Sequence, residues 1–256
     1  MSHWGVARDV CAYLSHHDRK EVRPKIPVAN IKPDNNSLPV QVVIEAKEAC
    51  RRYSGVSIAG ITVKESPKWM QERLKAIGLR PINNIVDITN YIQHETGQPL
   101  HAFDHSAIKG GTVVVKNVPA ETPFKTLDEK ERKLHAEDLM ICNAEEGMCI
   151  AGVFGGLESG VTESTKNIFL ESAYFDPIAI RKTSFRHGLR TDAATRFEKG
   201  IDISNTVAVL KRAAQLIKEL AGGEIASDFV DVYPDPMPKA EVVLKNQYLK
   251  KLSGKN

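Results

Sequence analysis

The chain has 256 residues, 42% of them hydrophobic and 26% charged, and its 35 Lys and Arg against 32 Asp and Glu leave a net charge of +3. This is the make-up of an ordinary globular protein, long enough to bury a true core and too weakly charged to argue for nucleic acid by itself. No apolar run reaches membrane-spanning length and no signal peptide opens the chain, so a cytoplasmic setting is expected.

Residues 2–17 read as an amphipathic helix, with Val6, Val10 and Leu14 at four-residue intervals. It starts without a lead-in, as the end of a preceding domain would, so residues 1–20 are assigned to such a helix. A polar stretch with Pro24, Pro27, Pro33 and Pro39 follows, and residues 21–39 are expected to form an extended linker. VQVVIEA and YSGVSIAGITV read as strands. Ser66-Pro67 supplies an N-cap and a first-turn proline for the helix WMQERLKAIG, which Gly78 closes. A second helix is expected from about Asn83 to Glu95, stopped by Gly97 and Pro99.

From Thr112 onward strands dominate. TVVVKNV comes first, then PFKTL and RKLHAE around a polar turn, then DLMICN, MCIAGVFGG and NIFLESAYF. Asp176-Pro177 opens the helix PIAIRKTSFRHG, TDAATRFEKG reads as a short helix, and SNTVAVLKRAAQLIKELAGG as a long one ended by its glycine pair. FVDVYPDP ends the compact region. The tail EVVLKNQYLKKLSGKN begins another strand–helix unit. The composite is an α+β fold, with a mostly antiparallel, sandwich- or barrel-like β core flanked by several helices. Cys142 and Cys149 fall on neighbouring strands. With Cys11 and Cys50 they form no CxxC pair, and free buried thiols are favoured over a disulfide or a zinc site.

Chemistry concentrates at three places. In the segment from Gly78 to Asp104, Asp87, Thr89, Asn90, His94 and His101 stand among apolar residues, which costs free energy unless each polar group finds a partner. Arg80 sits on a rigid corner before Pro81, and His101 just beyond the second helix. These two read either as functional groups or as an ion pair of Arg80 with Asp87 or Asp104 and a helix-capping histidine. Glu171 shares a strand face with Phe169, Ala173 and Phe175, so it either meets a buried basic partner or lines a pocket, where lost solvation would raise its pKa. The stretch AGVFGGLESG matches neither common phosphate-binding loop; its glycines suit a turn or a close approach of backbone to ligand. RKTSFRHGLR gathers positive charge around a phenylalanine, as phosphate contacts or a solvated helix face would. No HExxH, GxSxG or Ser/His/Asp signature is present, and a metal-dependent hydrolase draws only on scattered His and Asp residues.

Taken in order, RPINNIVDITNY, ETGQPLHAFD, AGVFGG, LESAYF and RHGLRTDAATRFEKGID resemble the editing module of the bacterial phenylalanine–tRNA ligase beta subunit. The likeness covers residues 40–236, and residues 237–256 resemble the start of the next domain, so the chain looks like a piece of a larger subunit. The resemblance implies hydrolysis of tyrosine wrongly esterified to phenylalanine tRNA. It implies no cofactor in this piece and no metal, with ATP and magnesium needed only by the complete enzyme. The implied partners are that tRNA and the alpha subunit of a heterotetramer, with no membrane and no DNA. Carried over residue by residue, it makes Glu171 the reader of the tyrosine hydroxyl and puts Arg80 and His101 at the reacting end. Gly152 and Gly155 become a close wall, Thr191 and Ala193 the mouth, and Asn90 a further contact. Glycine-loop amides are expected to stabilise the oxyanion. A tRNA-docking or subunit-scaffolding module is the alternative.

Overall fold

In the computed structural model, which describes residues 2–254, the β-branched segments pair into two five-stranded sheets and a hairpin. The helix α1 (His3–Asp18) comes first, with the Ser2 hydroxyl accepting from the Gly5 amide as its cap. Next are β1 (Gln41–Ile44), β2 (Cys50–Ala59), α2 (Lys68–Ala76), α3 (Asn84–Thr96) and β3 (His101–Asp104). The middle of the chain holds β4 (Thr112–Asn117), β5 (Pro123–Lys125), β6 (Glu131–Lys133), β7 (Leu139–Cys142), β8 (Gly147–Ile150) and β9 (Phe154–Gly155). It continues with β10 (Ile168–Phe175), α4 (Pro177–His187), α5 (Asp192–Glu198), α6 (Thr206–Ala221), β11 (Glu224–Ile225), β12 (Val230–Val232) and α7 (Asn246–Ser253).

The first sheet has the order β1-β4-β7-β8-β9, and only its β1–β4 pair is parallel. The second has the order β11-β2-β10-β3, with β12 also on β2, and is antiparallel throughout. The expected α+β class and mostly antiparallel core are what the chain adopts.

Strand β10 shows how the layers stack. Its side chains alternate, so Phe169, Ala173 and Phe175 face the first sheet and share a core with Val113, Ile141 and Ile150. Ile168 and Leu170 face the other way, against Ile88 and Ile92 of α3 and Val209, Leu210 and Ile217 of α6. The molecule is therefore helix on sheet on sheet. Each of these fully buried aliphatic side chains contributes about 1.5–3 kcal/mol of transfer free energy.

Much of the polar content in the segment from Gly78 to Asp104 is structural. Asp87 accepts from the Ser66 hydroxyl at 2.5 Å and from the Ile82 amide at 2.9 Å. The Asn84 side chain ties the Lys64 amide to the Thr62 carbonyl, and Asn83 caps α3. Three expectations need correction. Ser66 does not cap α2; its hydroxyl is taken by Asp87, and Pro67 fills the cap position without a side-chain bond. His101 neither caps α3 nor lies in a loop: it opens β3, because the chain turns straight back into the sheet after Gly97 and Pro99. Residues 21–39, expected to be an extended linker, form no helix or strand, and the amides of Asp34, Asn35 and Leu38 tie the stretch to the carbonyls of Ile225 and Ala226. The tail forms α7 and, among its described residues, no strand.

Gly55 opposes Glu171 across the β2–β10 ladder, and a Cβ there would lie 2.1 Å from Cζ of Phe169. Since both sit in a close-packed interior, Gly55→Ala is expected to destabilise the chain by about 1–3 kcal/mol in urea unfolding. A change below about 0.5 kcal/mol would show that the ring moves aside freely.

Candidate functional site

Strand pairing places the two strongest sequence candidates side by side. Glu171 on β10 stands directly opposite His101 on β3, and both project toward the first sheet. Their neighbours enclose a cavity of about 80 Å³ lined by Pro99, Leu100, His101, Cys149, Gly152, Val153, Phe154, Gly155, Glu171, Ala193 and Phe197. That is several times the roughly 10–15 Å³ needed by one water. Larger hollows, of about 400 Å³ beside α1 and α5 and about 520 Å³ between α1, α2 and α3, lie apart from Glu171 and His101. The small cavity is the one whose wall carries a buried carboxyl.

Glu171 is 4% exposed, and among the described residues its one hydrogen-bond donor is Tyr53, whose hydroxyl donates to Oε2 at 2.9 Å. Among the described residues no base pairs with it. Burial therefore wins over the Tyr53 bond and raises its pKa from 4.5 to about 8. His101 packs edge-on against Phe103 at 4.4 Å between ring centroids, and its buried Nε2 meets no partner among the described residues. Burial lowers its pKa from 6.5 to about 4, so the imidazole is neutral at ordinary pH. The thiols of Cys149 and Cys50 are pushed up by burial and then by Glu171, which keeps them protonated and unreactive. All four cysteines are free.

The glycine wall comes from the β8–β9 turn. A Cβ at Gly155 would lie 3.2 Å from Cε1 of His101 and 2.8 Å from Leu127, so a side chain there would crowd the imidazole. Gly152 also lines the cavity, but its φ of +67° and the nearness of Phe175, Ile180 and Phe197 make its glycine a requirement of the turn and of α4–α5 packing. The amides of Val153 and Gly156 bond to the carbonyls of Ile150 and Met148, so neither is free to hold an oxyanion. Thr191 caps α5, and its hydroxyl donates to the Val153 carbonyl at 3.0 Å, which fastens α5 to the glycine turn without lining the cavity. Ala193, two residues on, does line it.

Two candidates are not brought to this place. Arg80 is exposed in the connection before α3, with no acid partner among the described residues. His101 follows the other end of that 13-residue helix, which is about 20 Å long, and Arg80 is not among the residues of the cavity wall. Asn90 is half-buried on α3, outside the cavity wall. Sequence reasoning missed Tyr53 and the thiol side of Cys149. Strand alternation alone places Tyr53 on the face it shares with Gly55 and Ser57, yet nothing local reveals that this face meets Glu171. Among the described residues no three His, Cys, Asp or Glu side chains stand close enough to hold a metal, and no helix is long and apolar enough to cross a membrane.

These features define an α+β module with a buried acid and a neutral imidazole on the wall of a small, glycine-lined cavity. More particularly, the chain belongs to the B3/4 domain family, whose model matches residues 49–222. It is 55% identical to the phenylalanine–tRNA ligase beta subunit of Bacteroides fragilis over 99% of this chain and 31% of that protein. To the same-named protein of Bacteroides thetaiotaomicron it is 58% identical over 90% of this chain and 28% of the relative, and to that of Porphyromonas gingivalis 51% over 99% and 31%. The chain thus spans about a third of the length of these relatives. An N-terminal fragment of the phenylalanyl-tRNA synthetase beta-subunit from Pyrococcus horikoshii aligns with 90% of this chain and 62% of its own at a TM-score of 0.47 and 16% identity, a likeness too slight to support a statement about this chain.

The two perturbed groups leave a signature in stability. Between pH 4.5 and about 8 the folded chain keeps a proton on Glu171 that the unfolded chain releases, so stability falls as pH rises through that window. His101 acts oppositely, since between about 4 and 6.5 the unfolded chain binds a proton that the folded chain refuses. Above 6.5 Glu171 acts alone of the two, with a slope of at most ~1.4 kcal/mol per pH unit. Urea unfolding is expected to show this decline from pH 6.5 to 8 in the wild type and a flatter profile in Glu171→Gln. Equal slopes would contradict the burial of an acid.

Proposed function

We propose that the chain is the editing module of a phenylalanine–tRNA ligase beta subunit, hydrolysing the ester of tyrosine mischarged onto phenylalanine tRNA. The observation that carries this reading is the buried Glu171 carboxyl, in cross-strand register with His101 at a small cavity. A pocket made for phenylalanine rejects tyrosine poorly, because an apolar wall gains little discrimination against one added hydroxyl. A second site with a buried hydrogen-bonding group reverses the preference. Tyrosine satisfies the second oxygen of Glu171, whereas phenylalanine leaves that oxygen unpaired at a cost of about 1–3 kcal/mol. Family membership and the names of the relatives agree with this role.

The chemistry needs only water. His101, neutral and with a pKa near 4, is a poor base but a good acceptor for a water proton, so it acts by orienting the attacking water toward the ester carbonyl. Water-driven ester hydrolysis requires no cofactor. ATP and magnesium serve the charging reaction, which belongs to the complete enzyme with its alpha subunit, in the cytoplasm where tRNA is charged. Arg80, exposed in the connection before α3 and outside the cavity wall, is available to a part of the bound tRNA other than the reacting ester.

Tyrosyl-tRNA deacylation by the complete ligase containing this chain is the test. Glu171→Ala is expected to lower the rate roughly 10-fold or more, and His101→Ala roughly 100-fold. Wild-type rates in both variants would end this assignment.

One observation favours a docking role for the neighbouring surface. Lys182, Arg186 and His187 of α4 are occupied by Glu137 and Asp138, but Arg181, Arg190 and Lys199 have no acid partner among the described residues. They share a hollow with Phe185, which is 78% exposed, and with one acid, Glu198. Unpaired cations around an exposed ring suit an RNA strand. Binding of tRNA should weaken with salt, and Arg181→Glu with Arg190→Glu should reduce the slope of log K against log salt by about 1.5–2. An unchanged slope would remove this surface from the tRNA path.

A further inference from the structure

Glu171 is read by two phenols if tyrosine is its ligand, and one of them belongs to the chain. Tyr53 is fully buried on β2, and its hydroxyl donates to Oε2 of Glu171 at 2.9 Å. In the β2–β10 ladder Tyr53 stands opposite Ala173 and Gly55 opposite Glu171, so the tyrosine reaches the carboxyl diagonally past a residue with no side chain. The Phe169 ring covers that gap, since a Cβ on Gly55 would fall 2.1 Å from its Cζ. From the β2 side the carboxyl thus has a single donor. Among the described residues no protein group donates to Oε1, and Glu171 forms part of the cavity wall.

A buried carboxyl turns about its last bond unless hydrogen bonds hold its plane. With Oε2 held by Tyr53, the plane is set and one oxygen is left for whatever enters the cavity. We propose that Tyr53 is a positioning residue that sets the specificity of this cavity, holding Oε2 of Glu171 so that Oε1 alone offers a hydrogen-bonding place to a ligand phenol. This rests on the reading of Glu171 as the hydroxyl-sensing residue and adds what makes that sensing selective. Remove the Tyr53 hydroxyl, and the carboxyl can rotate or satisfy both oxygens with water, so a ligand hydroxyl gains less over its absence.

The arrangement has a pH signature. The titratable groups facing Glu171 are Tyr53 and Cys50 from β2, Cys149 from β8 and His101 from β3. Tyr53, Cys50 and Cys149 are all pushed upward by burial, and His101 is pushed down to about 4. Glu171, at about 8, is therefore the member of this cluster that changes charge just above neutrality. The Tyr53 bond opposes the upward push on Glu171, so its loss moves that transition higher.

The test uses the complete ligase containing this chain. The kcat and KM for hydrolysis of tyrosyl-tRNA and phenylalanyl-tRNA are measured from pH 6 to 9.5 in wild type, Tyr53→Phe and Glu171→Gln. Tyr53→Phe is expected to raise the tyrosyl-tRNA KM roughly 10-fold with phenylalanyl-tRNA unaffected, and to move the pH transition upward. A wild-type preference and transition in Tyr53→Phe, with Glu171→Gln impaired, overturns the positioning role and leaves the reading of Glu171 standing. A wild-type preference in Glu171→Gln overturns both. If Tyr53→Phe does not fold, NMR of the wild-type enzyme decides the matter. A Tyr53 hydroxyl proton protected from exchange and shifting as Glu171 titrates supports the proposal, and one that ignores that titration overturns it.

Discussion

The structure turns on a carboxyl kept out of water. Glu171 sits in the middle of the longest ladder of the second sheet, facing a core of aromatic and aliphatic side chains, with one phenolic donor and no cation among the described residues. An acid so placed lowers stability at neutral and higher pH, because folding must hold it protonated or bury its charge. Sheet and helix packing supplies the compensation: β10 is covered on one face by the first sheet and on the other by α3 and α6. A group that weakens the fold and sits beside a cavity fits function better than architecture.

The same sheet gives the site its precision. His101 and Glu171 face each other because β3 and β10 pair in fixed register, so the imidazole and the carboxyl are positioned by backbone hydrogen bonds rather than by a loop. The opposite wall is supplied by the β8–β9 turn, and Thr191 bonds that turn to α5 through the Val153 carbonyl. Under the proposed function, a substrate hydroxyl and its ester would be read by groups held in fixed backbone register, with specificity at Glu171 and water orientation at His101.

Much of this was legible in the sequence. The alternation in NIFLESAYF put Glu171 on an apolar face, and Asp176-Pro177 marked the helix it begins. What was lost is long-range pairing. HAFD is a four-residue strand immediately after a helix stop, too short for periodicity to separate from a loop, so the distance between His101 and Glu171 along the chain hid their contact. Ser66 looked like a cap because capping is a local rule, while its real partner, Asp87, arrives from another helix. Arg80 was placed at the site by the family resemblance alone, and in the fold it is exposed before α3 and outside the wall that His101 shares with Glu171. Tyr53 belongs to the same class of omission: alternation gives its face, and only the fold gives its partner.

The most direct measurement is a crystal structure of this chain with L-tyrosine bound. The account predicts that the ring enters the cavity between His101 and the Gly152–Gly155 turn and that its hydroxyl lies within hydrogen-bond distance of Oε1 of Glu171, with Tyr53 still on Oε2. A tyrosine bound elsewhere, or one in the cavity whose hydroxyl avoids Glu171, would contradict it.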